Sequence, residues 1–114
     1  MVSLVQRTMA ECRKRGWYVH RDLVCEVMTI RKTRRDFLGI IDLVAFGEGS
    51  CIGLQVTAAG SHAARRTKAL ANPHLAYWLQ VGNRFEIWSW RKKGRFWVVR
   101  EEALAFTRFG LVPQ

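Results

Sequence analysis

Apolar residues recur three or four positions apart at Val2, Val5, Met9 and Cys12, which predicts a helix over 2–15, stopped by Gly16. The pattern then changes period. Residues 17–30, WYVHRDLVCEVMTI, are rich in β-branched and aromatic side chains and predict a strand. The basic run RKTRRD at 31–36 predicts a loop. Residues 37–46, FLGIIDLVAF, are apolar almost throughout and predict a second, central strand. GEGS at 47–50 predicts a tight turn into a third strand at 51–57. Ser61 is a candidate cap for a second helix over HAARRTKALA, and Asn72-Pro73 opens a short helical piece with Leu75, Trp78 and Leu79 on one face. Gly82-Asn83 is a turn. Strands are expected at 84–91 and 95–100, joined by KKG, and the last dozen residues form a short apolar helix or an extended tail.

The resulting order, α-β-β-β-α-(α)-β-β, is an α+β arrangement over one domain spanning 1–114. No apolar run approaches the roughly 20 residues of a membrane-spanning helix, so no membrane role is expected. Charges interrupt the N-terminal segment before any long apolar stretch forms, which argues against a secretory signal and for a cytoplasmic protein. Cys12, Cys25 and Cys51 are scattered and odd in number, and they lack ligand spacing to His20, His62 or His74. Free thiols in a reducing compartment are expected, not a zinc site or a disulfide framework.

Charge changes the picture most. Nineteen Lys and Arg face nine Asp and Glu, a net of +10. The cations fall in runs: Arg13–Arg15, Arg31–Arg35, Arg65–Lys68 and Arg91–Arg95. A field of that sign attracts polyanions, and arginine is the better fork for phosphate. Nucleic acid is the expected partner, with Arg34, Arg35, Arg65, Arg66, Lys68, Arg91, Lys92, Lys93 and Arg95 as candidate contacts. A merely solvated basic surface is the alternative.

Against this background Asp42 stands out, because a carboxylate inside an apolar run is unfavourable unless something pairs with it. Across the hairpin lie Gln55, Val56 and Thr57. A carboxylate, an amide oxygen and a backbone carbonyl can converge there, an oxygen set that suits a hard cation such as Mg2+. The structural alternative is a buried arginine paired with Asp42.

These residues resemble the PD-(D/E)xK nuclease superfamily. Its pattern is an aspartate on the second strand and (Glu/Gln)-x-Lys on the third. Here IIDLVAF supplies Asp42 and GLQVT supplies Gln55 and Thr57. The spacing and the basic helix that follows are similar to archaeal Holliday junction resolvases and to small phage-encoded virus-type replication-repair nucleases. The resemblance covers roughly residues 5–100 and implies an α/β sandwich with an αβββαβ core on a central mixed sheet, plus a C-terminal hairpin. It implies Mg2+ or Mn2+ held by Asp42, Gln55 and the Val56 carbonyl, with Glu11 from the first helix as a further ligand. Thr57 stands where the family has lysine and cannot carry its charge; Lys68 on the next helix is the candidate substitute, with Arg65 holding phosphate. Glu11 has an ordinary alternative as a helix-surface partner of Arg7 or Arg15, and Glu26 is a rival carboxylate.

The implied activity is cleavage of branched or structured DNA by a homodimer, in the host cytoplasm if the chain is phage-encoded. A catalytically degenerate nucleic-acid-binding module on the same fold is the alternative. A small basic factor of unrelated fold is a third reading, favoured if Asp42 and Gln55 lie far apart. Trp88 and Trp90 share a strand face with Trp97 across the hairpin, and core packing is the expected role. A base-stacking surface or a dimer interface is the other possibility.

Overall fold

The structure is a computed structural model that describes residues 2–25, 27–28, 34–107 and 110–114. Helix α1 (Leu4–Lys14) opens with a capping box in which the Ser3 hydroxyl accepts from the Gln6 amide and the Gln6 side chain accepts from the Ser3 amide. Arg13 and Lys14 in its last turn complement the helix dipole. Gly16, at φ 80°, turns the chain out of the helix, in a conformation costly for any residue with a Cβ.

A two-residue ladder, β1 (Val27–Met28) with β2 (Arg34–Arg35), precedes the main sheet. That sheet contains β3 (Leu43–Gly47), β4 (Ser50–Ala58), β5 (Arg84–Lys93), β6 (Phe96–Thr107) and β7 (Gly110–Pro113), in that spatial order. β3 and β4 form a hairpin whose two-residue turn, Glu48-Gly49, has positive φ at both positions. The chain then crosses over through α2 (His62–Leu70) and α3 (Leu75–Gln80), so that β5 runs parallel to β4. β5, β6 and β7 follow as an antiparallel meander. Among the described residues the fold is therefore α+β, with a five-stranded mixed sheet, the two-stranded ladder and three α-helices.

Side chains alternate across the sheet and build two cores. Met9, Cys12 and Trp17 pack with Leu43, Ile52, Leu54, Trp88 and Trp90 on the α1 face. Ile40, Ile41, Phe85, Ile87 and Leu104 pack with Ala69 and Leu75 on the α2–α3 face. Trp88 and Trp90 are core residues, not a stacking surface. Each of their indole N–H groups has a partner, Glu86 Oε1 and Thr8 Oγ1 respectively, both at 2.9 Å. Trp97 lies opposite Lys92, not Trp90, and the Arg7 guanidinium sits 4.3 Å above its ring.

Several sequence expectations need correction. The predicted strand at 17–30 is broken: Tyr18 and Val24 bridge singly to Phe46 and Leu43, and a 3-10 turn at Arg21–Leu23 lies between them. His20 caps that turn by accepting from the Asp22 amide, a local bond that competes with a ladder. The predicted strand at 37–46 begins only at Leu43. Residues 37–41 form a closed turn in which Leu38 and Gly39 have φ 57° and 79°. The Asn72 side chain donates to the Leu38 carbonyl at 2.9 Å and holds this turn against the helical layer. Ser61 makes no side-chain cap; it ends a 3-10 turn at Ala59–Ser61. Asn72 Oδ1 accepts from the His74 and Leu75 amides and so opens α3. Of the C-terminal dozen, the described residues are extended: β6 runs to Thr107 and β7 spans Gly110–Pro113, while 108–109 lie outside the described residues.

Candidate functional site

β4 outruns β3 at the Asp42 end of the hairpin. Asp42 donates its amide to the Leu54 carbonyl, placing its side chain opposite Gln55 on the α2–α3 face. Its Oδ2 accepts the Val56 amide at 2.8 Å, a donor that β3 is too short to satisfy. The Gln55 amide nitrogen lies 3.5 Å from the same oxygen, a weak contact. Asp42 is 5% exposed and Gln55 1%, and Gln55 Oε1 is buried without a hydrogen-bond partner. An orphan acceptor of that kind costs about 1–3 kcal/mol and calls for an explanation.

Asp42, Gln55 and Val56 floor a cleft of about 840 Å3 between the first half of α1 and the middle of α2. Gln6, Met9 and Arg13 line one wall, and Arg65 and Lys68 the other. Arg21 and Asp36 also line it. Neither Arg65 nor Lys68 has a carboxylate partner among the described residues. The Cys25 thiol is pushed above its usual range, first by burial and then by the charges of Asp42 and Asp36. The cleft therefore holds two carboxylates, Asp42 and Asp36, a buried amide oxygen without a hydrogen-bond partner, and four cations, Arg13, Arg21, Arg65 and Lys68, that make no ion pair among the described residues.

Other expected site residues are placed elsewhere. Glu11 lies away from the cleft, because the α1 positions that reach it are Leu4, Val5, Gln6, Met9 and Arg13. Glu11 instead holds Arg15, at 3.4 Å, and Arg15 also takes both oxygens of Glu101 and lies 4.6 Å over the Trp88 ring. Thr57 is buried on β4, two residues beyond Gln55, and does not line the cleft. Arg66 turns away to Glu102, at 2.7 Å. Glu26 and Arg31–Thr33 lie outside the described residues, as do the side chains of Arg34 and Arg35. Arg91, Lys92, Lys93 and Arg95 are exposed around the β5–β6 turn.

Sequence reading missed Asp36, read as part of a loop, and the cations Arg13 and Arg21. It also missed a buried knot. His62 lies 2.6 Å from Ser89 Oγ and 2.9 Å from Glu102 Oε1, tying α2 to β5 and β6. No hydropathy period marks such a set, since its members come from three elements.

Among the described residues no three His, Cys, Asp or Glu side chains cluster to hold a metal. The donors around Asp42 and Gln55 are all oxygens: one carboxylate, one amide and a strand carbonyl at Val56. This set fits a hard cation that keeps several waters, such as Mg2+ or Mn2+, and not zinc. In comparisons with known proteins, no protein family, curated protein or solved structure matches the chain.

Proposed function

We propose that the protein is a metal-dependent endonuclease acting on branched or structured DNA, with its reaction centre in the Asp42–Gln55 cleft. The observation that carries this reading is the orphan Gln55 Oε1 beside Asp42, facing Arg65 and Lys68 across one cleft. The crossover hairpin-α2-β5, with β5 parallel to β4, supports an αβββαβ core whose first strand survives as the Tyr18 and Val24 bridges.

Asp42, Gln55 Oε1 and the Val56 carbonyl would hold Mg2+ or Mn2+. Bound there, the cation polarises a phosphoryl oxygen and lowers the pKa of attendant water. Arg65 grips a non-bridging oxygen of the scissile phosphate and fixes it in line. The Lys68 ammonium neutralises charge that builds as water attacks phosphorus, in place of the lysine that Thr57 cannot supply. We extend the proposal to a two-fold dimer through β7, the terminal strand of the sheet. A dimeric mass in light scattering at tens of micromolar is expected; a monomeric one with and without DNA rejects this extension.

A second reading, a binding module without catalysis, is favoured by one observation. The Val56 amide already occupies Asp42 Oδ2, so the carboxylate has a structural duty at the end of β4. One assay separates the two. Linear, flapped and four-way DNA are incubated with Mg2+, Mn2+ or chelator. Metal-dependent cleavage lost in Asp42→Asn and Lys68→Ala is expected. DNA binding with no cleavage under any condition leaves the binding module.

A further inference from the structure

The β5–β6 hairpin extends beyond the rest of the sheet. β4 ends at Ala58, opposite Trp90, and β7 pairs only with Leu104–Thr107. From Arg91 to Val98 the two strands therefore pair with each other alone, as a short ribbon. Its two faces differ. Lys92 and Trp97 point to the α1 side, where Arg7 stacks on Trp97 and fixes the ribbon's base. Arg91 and Lys93 point to the α2 side and share a groove of about 510 Å3 with Ser89 and Arg100.

Among the described residues no carboxylate neutralises that groove. Glu102, the next residue on the same face of β6, is taken by Arg66 and His62. Arg91, Lys93 and Arg100 are exposed and make no ion pair among the described residues. The groove also shares the sheet face of Gln55. Gln55 lies opposite Ile87, and Arg91 is four residues further along β5. At about 3.3 Å per residue and one strand spacing sideways, the two are separated by about 14 Å. Duplex DNA rises 3.4 Å per base pair, so that separation spans about four base pairs where the duplex axis runs along β5.

We propose that this α2-side groove of the ribbon is a second DNA site. It holds the backbone of a duplex arm about four base pairs from the phosphate in the cleft. A two-stranded ribbon is narrow enough to follow a DNA groove while its cations meet the phosphates. The α1-side face carries structural weight instead. This inference rests on the DNA reading above but not on catalysis.

The test is fluorescence anisotropy of a labelled duplex in chelator, titrated at several salt concentrations, alongside the cleavage assay in Mn2+. Arg91→Glu/Lys93→Glu is expected to weaken binding at least tenfold and to reduce the slope of log affinity against log salt by about two. Lys92→Glu, one residue away on the other face, is expected to change affinity less than threefold. All three substitutions sit at exposed positions, and circular dichroism checks their folding. Equal losses from the two faces, no loss from either, or a wild-type protein that does not bind duplex overturns the inference. Cleavage that survives with no difference between the faces removes this site and leaves the nuclease reading standing. Face-dependent binding without cleavage does the reverse.

Discussion

Replacing Gln55 by methionine keeps the length of the side chain and removes both amide atoms. Without added metal, the native protein carries a buried Oε1 with no partner, at a cost of about 1–3 kcal/mol. The compensating contact, Nε2 to Asp42 at 3.5 Å, is too long to contribute much. Gln55→Met is therefore expected to be more stable than wild type in chelator by about 1–2 kcal/mol. That corresponds to a rise of about 4–8 °C in Tm for a chain of this size. With Mn2+ the order should invert. A cation bound only by the folded state stabilises by about 2.7 kcal/mol at one hundred times its Kd. Wild type gains this and the variant, short of one ligand, does not. Gln55→Glu is the matching arm. It sets a second carboxylate against Asp42, so its Tm should fall in chelator at neutral pH and rise further than wild type with Mn2+. Thermal melts of the three proteins with and without millimolar Mn2+ decide the matter. If Gln55→Met is the less stable protein in chelator and no divalent cation moves the wild-type Tm, the reasoning fails. Gln55 is then a structural amide.

Two further predictions concern the parts that hold the site. Burial pushes the Glu102 carboxyl up, but hydrogen bonds and charge from Arg66 and His62 outweigh it and hold it below its ordinary value. A carboxylate depressed in this way stabilises the fold above its unfolded pKa, and the contribution is lost as pH falls through the folded one. Glu102→Gln should therefore lower Tm at neutral pH, and the gap to wild type should narrow progressively as pH falls below the ordinary Glu value of about 4.3. A gap that acid leaves unchanged contradicts the assignment. At Gly47, a Cβ would lie 2.4 Å from the Trp17 ring, which is itself wedged against Trp88. Gly47→Ala should destabilise by about 1–3 kcal/mol in urea unfolding, and a neutral result would show that Trp17 is free to move.

The sequence pattern carried the topology further than it carried the boundaries. Helical spacing at Val5, Met9 and Cys12 marks the buried stripe of α1, and GEGS marks the β3–β4 turn. The α2 helix and the β5–β6 hairpin were likewise legible, the hairpin from aromatic and β-branched residues on either side of KKG, although β6 runs to Thr107, beyond the expected end at 100. The stretch 37–46 misled because a uniform apolar run has no period. Such a run reads the same whether it is a strand or a tight turn packed beneath a helix. Gly39 was the available signal, since Leu38-Gly39 is where the chain reverses. Residues 17–24 misled differently: their propensity is that of a strand, but the bond from the Asp22 amide to His20 interrupts the ladder. The cleft was half legible. Asp42 and Gln55 are joined by hairpin arithmetic, whereas Asp36 and Arg13 reach the cleft through a turn and a helix packing angle that no local pattern encodes.

Charge placement separates a solvated basic surface from a built one. Five of the nine acids of this chain are gathered into a few knots: Glu11 and Glu101 on Arg15, Glu48 and Glu86 on Arg84, and Glu102 on Arg66. The more exposed of these pairs, such as Arg84–Glu48, contribute only about 0–1 kcal/mol each, so stability alone does not require those carboxylates to be concentrated there. The effect is to leave two tracts of cations without carboxylate partners among the described residues. One surrounds the Asp42–Gln55 cleft with Arg13, Arg21, Arg65 and Lys68, and the other occupies the ribbon with Arg91, Lys93 and Arg100. A chain made basic only for solubility gains nothing from such grouping, because dispersed like charges repel less than clustered ones. Clustering carries an electrostatic cost that a polyanion spanning both tracts would relieve. The protein should therefore melt higher when DNA binds. That rise should shrink if either tract is reversed in sign, and it should fade with salt as the counterions displaced from DNA become easier to retain.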